Sequence, residues 1–310
     1  MSDIKLFKLA NNSVLELTGK SAKLEKDLQA HIEQNMDVLL GVRYLASEYG
    51  TGKTHKGRID SLGLDENGCP VIVEYKRHSN ENVINQGLFY LDWLLDHQAE
   101  FRWLVMEKIG KDAAEDIEWD GTRLICIATD FNRYDEHAVQ QINRNIELMR
   151  YRYFGDDLLL LELVNAQTAQ QANTTKSVAA QKPDTQAAPN KTGNIQRTRL
   201  LKATPELLSL YNDACNYIDQ LGDEVQRKDL LQYTAFKRIK NFACIVILPG
   251  KDPKLQITLK LPGELSEENA FSRNISNIGS WGTGDLEVNI RSQEDWVKAR
   301  LLVDQAYQQS

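Results

Sequence analysis

The chain has 310 residues, of which 42% are hydrophobic and 26% charged, a composition typical of a soluble globular protein of about two domains. Its formal net charge of −7 excludes a generic polyanion binder, so any contact with nucleic acid must use local basic patches. The four cysteines form no paired metal-binding motif, and no apolar run is long enough to cross a bilayer. We therefore expect a cytoplasmic protein with reduced thiols and no membrane partner.

The first 165 residues alternate between helical and strand patterns, an order typical of an α/β fold. Apolar residues at alternate positions predict an N-terminal hairpin within 1–17 and strands at 42–49, 57–64, 70–77, 123–131 and 158–164. Apolar residues at helical spacing predict helices from a Ser21 cap to residue 39, over 82–110, and over 136–153 after an Asp135 cap. The strands at 57–64 and 70–77 flank a turn and are expected to form a hairpin. These elements predict a mixed sheet flanked by helices.

Residues 166–202 have the composition of a flexible linker. From residue 166 to 199 the chain has no aromatic residue, one acidic residue and little to bury beyond Val178 and Ile195. Such a segment cannot offset its ordering entropy by burying apolar surface. We therefore predict a domain over 1–165, a linker over 166–202, and a small α+β domain over 203–310 whose last helix begins after Ser292.

The stretch from Gly50 to Thr54, GTGKT, looks like the phosphate-binding loop of an ATPase. The spacing of that loop requires a further glycine at position 47, where this chain has Ser47. The residues after the stretch alternate like a strand, whereas a phosphate-binding loop leads into a helix. We therefore expect no ATP site, and we interpret the stretch as a basic loop between two strands.

The strand at 70–77 carries a carboxylate and an ammonium group on one face. Side chains alternate along a strand, so Glu74 and Lys76 share a face of an otherwise apolar strand, where they are costly to bury unless paired or used. Asp60 lies on the preceding strand of the same hairpin and can converge on Glu74. Two neighbouring carboxylates repel unless a cation lies between them, and Mg²⁺ or Mn²⁺ would suit oxygen ligands of this kind. Lys76 could then orient an attacking water or stabilise charge on a phosphate.

Three more residues fit this arrangement. Glu25 lies at the edge of the apolar stripe of the first predicted helix and can reach inward as a third acid. Gln86 and Tyr90, four residues apart, share a face of the helix that follows the Glu-x-Lys strand, and could hold the water, Lys76 or a backbone phosphate. Each residue also has an ordinary structural explanation, so the prediction depends on their joint order along the chain.

This order resembles the PD-(D/E)XK nuclease superfamily, and more closely its NucS-type and RecB-like endonuclease branch. The residues that carry the resemblance are Glu25, Asp60 in "GRID", Glu74 and Lys76 in "VEYK", and Gln86 and Tyr90 in "NQGLFYL". The resemblance covers about residues 24–95. The C-terminal stretch "SNIGSWGTGDLEVNI" resembles a domain of unknown function that is sometimes labelled a predicted transport protein, a label that the composition does not support.

The resemblance implies a restriction-endonuclease-like core and a metal-dependent phosphodiesterase that acts on DNA. It implies that Asp60, Glu74 and the backbone carbonyl of Tyr75 hold the metal ion and that Glu25 completes or extends the site. Lys76 and Gln86 would support the nucleophile. The family's proline before the aspartate is absent, because Ile59 stands there.

Basic residues near the predicted site could follow a phosphate backbone without reading base sequence. The candidate nucleic-acid contacts are Arg43, Lys53, Lys56, Arg58, Arg77 and Tyr90, with Lys237 and Arg238 in the C-terminal domain. A solubilising loop and a solvated turn explain the same residues equally well.

The sequence thus predicts a metal-dependent DNA endonuclease whose C-terminal domain recognises substrate or a partner. One site per chain would require a homodimer for a double-strand cut. Two alternatives stay open at this point: a non-catalytic nucleic-acid-binding or scaffold protein on a nuclease fold, and an RNA-specific nuclease.

Overall fold

A computed structural model describes residues 4–10, 13–52, 56–77, 83–167, 195–278 and 284–310. A short N-terminal hairpin of strands β1 (Leu6–Ala10) and β2 (Ser13–Leu17) forms a two-stranded sheet by itself. The remaining strands form one seven-stranded sheet in the N-terminal part of the chain and one six-stranded sheet in the C-terminal part.

The N-terminal sheet is mixed. Its strands are β3 (Gly19–Lys20), β4 (Val42–Gly50), β5 (Arg58–Asp65), β6 (Pro70–Tyr75), β7 (Arg123–Ala128), β8 (Asn145–Phe154) and β9 (Leu158–Gln167). The order is β3-β8-β7-β6-β5-β4, with β9 also beside β8. Strands β6, β7 and β8 run parallel to one another, and the other neighbouring strands are antiparallel.

Helices cover both faces of this sheet. They are α1 (Glu25–Gln34), α2 (Met36–Leu40), α3 (Val83–Asp96), α4 (Gln98–Lys108), α5 (Lys111–Glu115) and α6 (Arg133–Gln140). The apolar residues of α1 and α2 pack with Val73 and Tyr75 of β6 on one face, and those of α3 and α4 pack with Ile72 of β6 on the other. Burial of one strand from both sides explains why β6 is almost wholly apolar. The expected α/β class, with a mixed sheet flanked by helices, is confirmed.

Two predicted helices differ from those in the structure. The helix expected over 21–39 starts at Glu25, after Leu24 as its N-cap, and breaks at Asn35 between α1 and α2. The helix expected over 136–153 is wrong: α6 ends at Gln140, and Asn145–Phe154 is strand β8. Polar residues within β8 imitate the polar face of a helix, but they are buried and paired with other elements in the sheet.

The cap of α6 is also different from the prediction. Asn132 is the N-cap, and its side-chain oxygen accepts hydrogen bonds from the backbone N–H groups of Tyr134 and Asp135. The Asp135 carboxylate in turn accepts from the N–H of Asn132, at 3.0 Å. Asp135 therefore takes the third position of a capping box and not the cap itself.

The C-terminal sheet is antiparallel, in the order β10-β11-β12-β13-β15-β14. Its strands are β10 (Gln226–Asp229), β11 (Thr234–Lys237), β12 (Asn241–Leu248), β13 (Lys254–Leu259), β14 (Ser272–Asn274) and β15 (Leu286–Ile290). Helices α8 (Pro205–Asp219) and α9 (Gln293–Gln308) pack on one of its faces; Thr204 caps the first, and Ser292 caps the second as predicted. The expected small α+β architecture is confirmed for this part of the chain.

The expectation of a flexible linker is wrong for its last eight residues. Residues 195–202 form helix α7 (Ile195–Lys202), and strand β9 extends to Gln167. The buried side chain of Gln196 donates to the carbonyl of Ile245 at 3.1 Å and accepts from the N–H of Ile247 at 3.4 Å. These bonds attach the helix to strand β12. Residues 168–194 lie outside the described part of the chain, and the division into domains stays a prediction.

The C-terminal sheet contacts the N-terminal sheet at the edge where the parallel strands begin. Arg123, at the start of β7, forms ion pairs with Asp65 at 3.2 Å and with Glu147 at 2.8 Å. Lys237 of β11 donates to the same Glu147 carboxylate. Burial alone would raise the pKa of Glu147, but Arg123 and Lys237 lower it below its ordinary value. This buried cluster of charges joins the two sheets, together with a hydrogen bond between Asn67 and Asn241.

Two remaining expectations concern thiols and membranes. Cys69, Cys126, Cys215 and Cys244 are all free and buried. In the part of the chain that the structure describes, no helix combines the length and the apolar character that a membrane span needs.

We predict that Glu147→Gln lowers the free energy of unfolding by about 3–5 kcal/mol, since it removes the carboxylate that pairs with buried Lys237 and leaves buried Arg123 with Asp65 alone. Urea titration followed by circular dichroism would measure the change. The matched control is Glu115→Gln, which removes an exposed ion pair to Lys111 and is expected to change stability by about 0.5 kcal/mol at most. Equal effects of the two substitutions would contradict the assigned role of Glu147.

Candidate active site

Asp60 and Glu74 lie side by side at one end of the β5–β6 hairpin, as the sequence predicts. The backbone N–H of Asp60 donates to Glu74 Oε1 at 3.2 Å, and the backbone N–H of Tyr75 donates to Asp60 Oδ2 at 3.0 Å. Each carboxylate is therefore held by the backbone of the neighbouring strand. The pairing of Ser61 with Val73 sets the register that makes these bonds possible.

The pKa values of both carboxyl groups of this pair are raised. Burial raises the pKa of Glu74 from 4.5 to about 9, with a further contribution from the charge of Asp60. Burial also raises the pKa of Asp60 from 3.8 to about 6, although the hydrogen bond from Tyr75 opposes this shift. Glu74 is completely buried, and among the described residues its Oε2 atom has no hydrogen-bond partner. A buried carboxylate oxygen without a partner is costly, so this pair would gain stability from a bound cation.

Lys76 and Glu25 form an ion pair next to the two acids. Lys76 Nζ lies 3.3 Å from Glu25 Oε1, and Glu25 Oε2 accepts a hydrogen bond from the backbone N–H of Arg77 at 3.1 Å. Burial lowers the pKa of Lys76, but the charges of Glu25 and Asp60 outweigh burial and raise it above its ordinary value. Lys76 is therefore an ammonium ion at neutral pH, able to donate hydrogen bonds and unable to act as a base.

Gln86 and Tyr90 contact each other on α3, as their spacing predicts. Gln86 Nε2 donates to the hydroxyl of Tyr90 at 3.3 Å, and the same hydroxyl accepts from the N–H of Arg58 at 3.3 Å. Tyr90 is only 6% exposed, so the structure does not support a direct contact between its ring and nucleic acid. A Cβ atom at Gly57 would lie 2.5 Å from the Tyr90 ring, so the close approach of the loop to Tyr90 requires glycine there. Tyr90 fixes the beginning of β5, two residues before Asp60.

The pair of Asp60 and Glu74 offers two carboxylate ligands to a cation. Mg²⁺ is commonly held by one or two protein carboxylates together with water, so this donor set fits such an ion. Among the described residues, no group of three or more His, Cys, Asp and Glu side chains is placed to hold a metal ion. Glu25 does not complete such a group, because it contacts Lys76 and Arg77. Its role as a ligand, and that of the Tyr75 carbonyl, stay predictions.

Several polar residues behind the acid pair were not predicted from the sequence. Gln29 is buried, and its Nε2 lies 2.8 Å from the backbone oxygen of Asp60, 3.0 Å from Glu33 Oε1 and 3.1 Å from Ser47 Oγ. Ser61 Oγ donates to Glu33 Oε1 at 2.6 Å. A signal for this group was present, because Glu25, Gln29 and Glu33 follow one another at four-residue steps along one face of α1.

The candidate nucleic-acid residues fall into three groups. Lys56 and Arg58 are exposed before β5, where Arg58 forms an ion pair with Glu48 at 3.3 Å, and Arg77 is half-buried next to Lys76. Arg43 is exposed but pairs across the sheet with Leu64, about 13 Å along the strand from Asp60. Lys53 lies outside the described residues.

Of the two C-terminal candidates, Lys237 is not available for nucleic acid, contrary to the prediction, and the partly exposed Arg238 is engaged in internal contacts. Lys237 is 8% exposed and binds the Glu147 carboxylate in the contact between the sheets. Arg238 forms an ion pair with Glu224 at 3.1 Å and lies over the ring of Tyr307. These basic residues, which are adjacent in the sequence, therefore make internal contacts in the structure.

The GTGKT stretch leads from β4 to its antiparallel neighbour β5. Gly50 pairs with Arg58, and the N–H and hydroxyl of Thr51 both donate to the carbonyl of Gly57. The chain thus turns back beside the strand that it left, whereas the loop of an ATPase leads away from the strand into a long helix.

Comparison of the whole chain with known proteins identifies a family. A family model described as a domain of unknown function, DUF5655, matches residues 198–310. The chain is 30% identical over 310 residues to an uncharacterized protein of Haemophilus influenzae, with 98% of this chain and 99% of that protein covered. The chain therefore belongs to the same family as this Haemophilus protein.

Two solved structures have local similarity to the fold. One is a repair endonuclease from Pyrococcus abyssi, 19% identical, with a TM-score of 0.28 and coverage of 42% of this chain and 48% of that one. The other is an EndoMS–double-stranded DNA complex, 15% identical, with a TM-score of 0.24 and coverage of 47% and 64%. The chain thus spans less than two thirds of the length of either solved chain.

We predict that the metal-free protein loses stability as pH rises from 5 to 9. The native state binds protons at Glu74 and Asp60 more tightly than the unfolded chain, so stability is highest below their unfolded pKa values and is lost as pH rises through about 6 and about 9. At pH 9, Glu74→Gln is expected to unfold with a free energy about 2–4 kcal/mol higher than the wild type. Urea midpoints at pH 5, 7 and 9 in EDTA would measure this difference.

The control for this experiment is Glu107→Gln, which changes an exposed glutamate on α4. It is expected to leave the pH profile of the wild type unchanged. If the urea midpoint of the wild type is the same at pH 5, 7 and 9, burial of the acid pair does not destabilise the native state and the prediction is wrong.

Proposed function

We propose that this protein is a divalent-metal-dependent endonuclease that hydrolyses phosphodiester bonds in DNA. The observation that carries the proposal is the buried pair of Asp60 and Glu74, with the unpartnered Oε2 of Glu74, beside the ammonium group of Lys76. Both pKa values stay raised although the charge of Lys76 opposes the shift, so a cation bound between the two neighbouring acids would relieve an unfavourable arrangement.

Asp60 and Glu74 would hold Mg²⁺ or Mn²⁺, with the backbone carbonyl of Tyr75 and the Glu25 carboxylate as the further ligands that the sequence predicts. When bound, such an ion would polarise a phosphoryl oxygen and favour ionisation of water. Metal binding would also lower the pKa values of both acids, because a nearby cation favours their charged forms.

The side chains around the acids have separate tasks in this proposal. Lys76, as an ammonium ion, would stabilise the negative charge that develops on the phosphate and orient the attacking water. The oxygen of that water would form the new bond to phosphorus as the bond to the leaving sugar oxygen breaks; the water would lose a proton to solvent, and the leaving oxygen would take up a proton from solvent to become a hydroxyl group. Glu25 would keep Lys76 in position, and Gln86 with Tyr90 would hold the beginning of β5.

DNA is the proposed substrate because the exposed basic residues lie near the acid pair. Lys56 and Arg58 precede Asp60 by four and two residues, and Arg77 directly follows Lys76. These residues could bind a phosphate backbone without reading its sequence. We further propose a cytoplasmic enzyme that uses no ATP and that cuts both strands as a homodimer.

The C-terminal region contacts the opposite end of the parallel strands from the acid pair. Arg123, which joins the two sheets, pairs with Val71 of β6, three residues before Glu74. This distance of about 10 Å along the strand separates the contact from the proposed chemistry. The C-terminal region would therefore recognise a partner or a distant part of the substrate.

We predict that Lys76→Met reduces the rate of DNA cleavage with Mn²⁺ by about 10³-fold or more, because it removes a charge that acts on the transition state. Plasmid, single-stranded and flap DNA, each with Mg²⁺ or Mn²⁺, and single-stranded RNA would be compared by gel electrophoresis. Lys108→Met, an exposed position at the end of α4, is the matched control and should cut as well as the wild type.

The same panel separates the alternatives. Cleavage of RNA in preference to every DNA form would identify an RNA-specific nuclease. DNA binding without metal-dependent cleavage of any substrate would support a non-catalytic role and overturn the proposed activity.

We predict that the double substitution Lys56→Ala with Arg58→Ala lowers the salt dependence of duplex DNA binding. Each lost phosphate contact reduces the slope of log affinity against log salt concentration by about 1, so a reduction of about 1–2 is expected. Fluorescence anisotropy in EDTA would measure it. Lys251→Ala with Lys298→Ala, two exposed lysines of the C-terminal region, should leave the slope unchanged. An unchanged slope in the first variant would exclude this loop from the DNA contact.

A further inference from the structure

Asp60 lies one residue beyond the paired part of strands β5 and β6, where Ser61 faces Val73. Its backbone N–H and carbonyl groups bond to side chains and not to the backbone of β6. The N–H of Asp60 donates to Glu74 Oε1 at 3.2 Å, and its carbonyl oxygen accepts from Gln29 Nε2 at 2.8 Å. Of these two contacts, the one from Gln29 comes from a helix, α1. The position of Asp60 therefore depends on how α1 is placed against the sheet.

Gln29 is itself fixed on several sides. It is 6% exposed, and its amide nitrogen also lies 3.0 Å from Glu33 Oε1. Glu33 accepts a second hydrogen bond from Ser61 Oγ, and Ser61 Oγ lies 3.1 Å from the hydroxyl of Tyr75. A closed chain of hydrogen bonds thus runs from α1 to β5 and on to β6, the two strands that carry Asp60 and Glu74. A buried network with each member bonded restricts its side chains to one arrangement.

We infer that Gln29 is a positioning residue for the acid pair: its amide holds the backbone carbonyl of Asp60 and thereby directs the Asp60 carboxylate toward Glu74. The inference rests on the proposed function for its catalytic consequence, but its structural part stands on the hydrogen bonds alone. Groups behind the ligands of a metal site commonly change metal affinity or activity by about 10- to 100-fold when they are removed. The reason is that a small displacement of a ligand is enough to spoil its geometry.

The Tyr75 amide reports the position of the Asp60 carboxylate without any metal. Its N–H donates to Asp60 Oδ2 at 3.0 Å, so a carboxylate that moves away leaves this N–H without its acceptor. Hydrogen exchange at one amide measures local opening of this kind. This readout does not depend on catalysis, on DNA or on a bound cation.

The test compares Gln29→Met with Gln34→Met, the same substitution at an exposed position on the same helix. We expect Q29M to accelerate exchange of the Tyr75 amide by about fivefold or more. We also expect it to weaken Mn²⁺ binding, measured by calorimetry with the metal alone, by about 10- to 100-fold. Q34M should match the wild type in both measurements. If Q29M is unfolded by circular dichroism, Gln29→Asn replaces it, because an amide one methylene shorter cannot reach the Asp60 carbonyl.

The outcomes separate this inference from the proposed function. Unchanged Tyr75 exchange in a folded Gln29 variant would overturn the positioning role, whatever the metal does. Faster exchange with normal Mn²⁺ affinity would overturn its link to the metal site. A wild type that binds no Mn²⁺ would overturn the proposed metal-dependent activity, while faster Tyr75 exchange in Q29M would still support the structural part of the inference.

Discussion

The N-terminal fold of this protein is organised around two neighbouring carboxylates, the completely buried Glu74 and the partly buried Asp60. Asp60 and Glu74 each accept a hydrogen bond from the backbone of the other's strand, and these bonds hold them in contact. Burial raises both pKa values, and the charge of Asp60 adds to the rise at Glu74. A fold normally avoids such an arrangement, because desolvated acids of like charge weaken it. The elements around the pair hold the two acids together despite this cost, and a bound cation would offset it.

The surrounding residues divide this task among three elements. Strand β6 supplies Lys76 two residues after Glu74, and helix α1 supplies Glu25, which holds the ammonium group and the backbone of Arg77. Helix α3 supplies Tyr90, which holds the beginning of β5. None of these contacts neutralises the unpartnered oxygen of Glu74, which therefore stays the point at which a positive ligand would gain most. Buried polar groups with one missing partner are rare in native proteins, and they concentrate at functional sites.

Charged groups lie at both ends of the parallel strands β6, β7 and β8, but they are paired in opposite ways. At the carboxyl end, the acids lack a partner of opposite charge in direct contact. At the amino end, Glu147 forms ion pairs with both Arg123 and Lys237. These pairs lower the pKa of Glu147, whereas the pKa values of Asp60 and Glu74 are raised. The first arrangement is suited to a ligand and the second to permanent contact between two parts of the chain, since a fully paired buried cluster has nothing left to bind. The same strands thus hold the proposed active site at one end and the contact between the two sheets at the other.

The sequence by itself determined the β5–β6 hairpin, the Glu-x-Lys strand, and the acids that converge on it, because alternation and turn composition are local properties of the chain. It did not determine strand β8, whose residues Glu147 and Arg150 look like the polar face of a helix until their partners on other elements are known. Tertiary structure alone decided that Lys237 is an internal contact and that Gln29 holds Asp60. The physical reason is common to these cases: the stability of a buried polar group depends on partners that are distant in sequence, and only the packed fold brings them together.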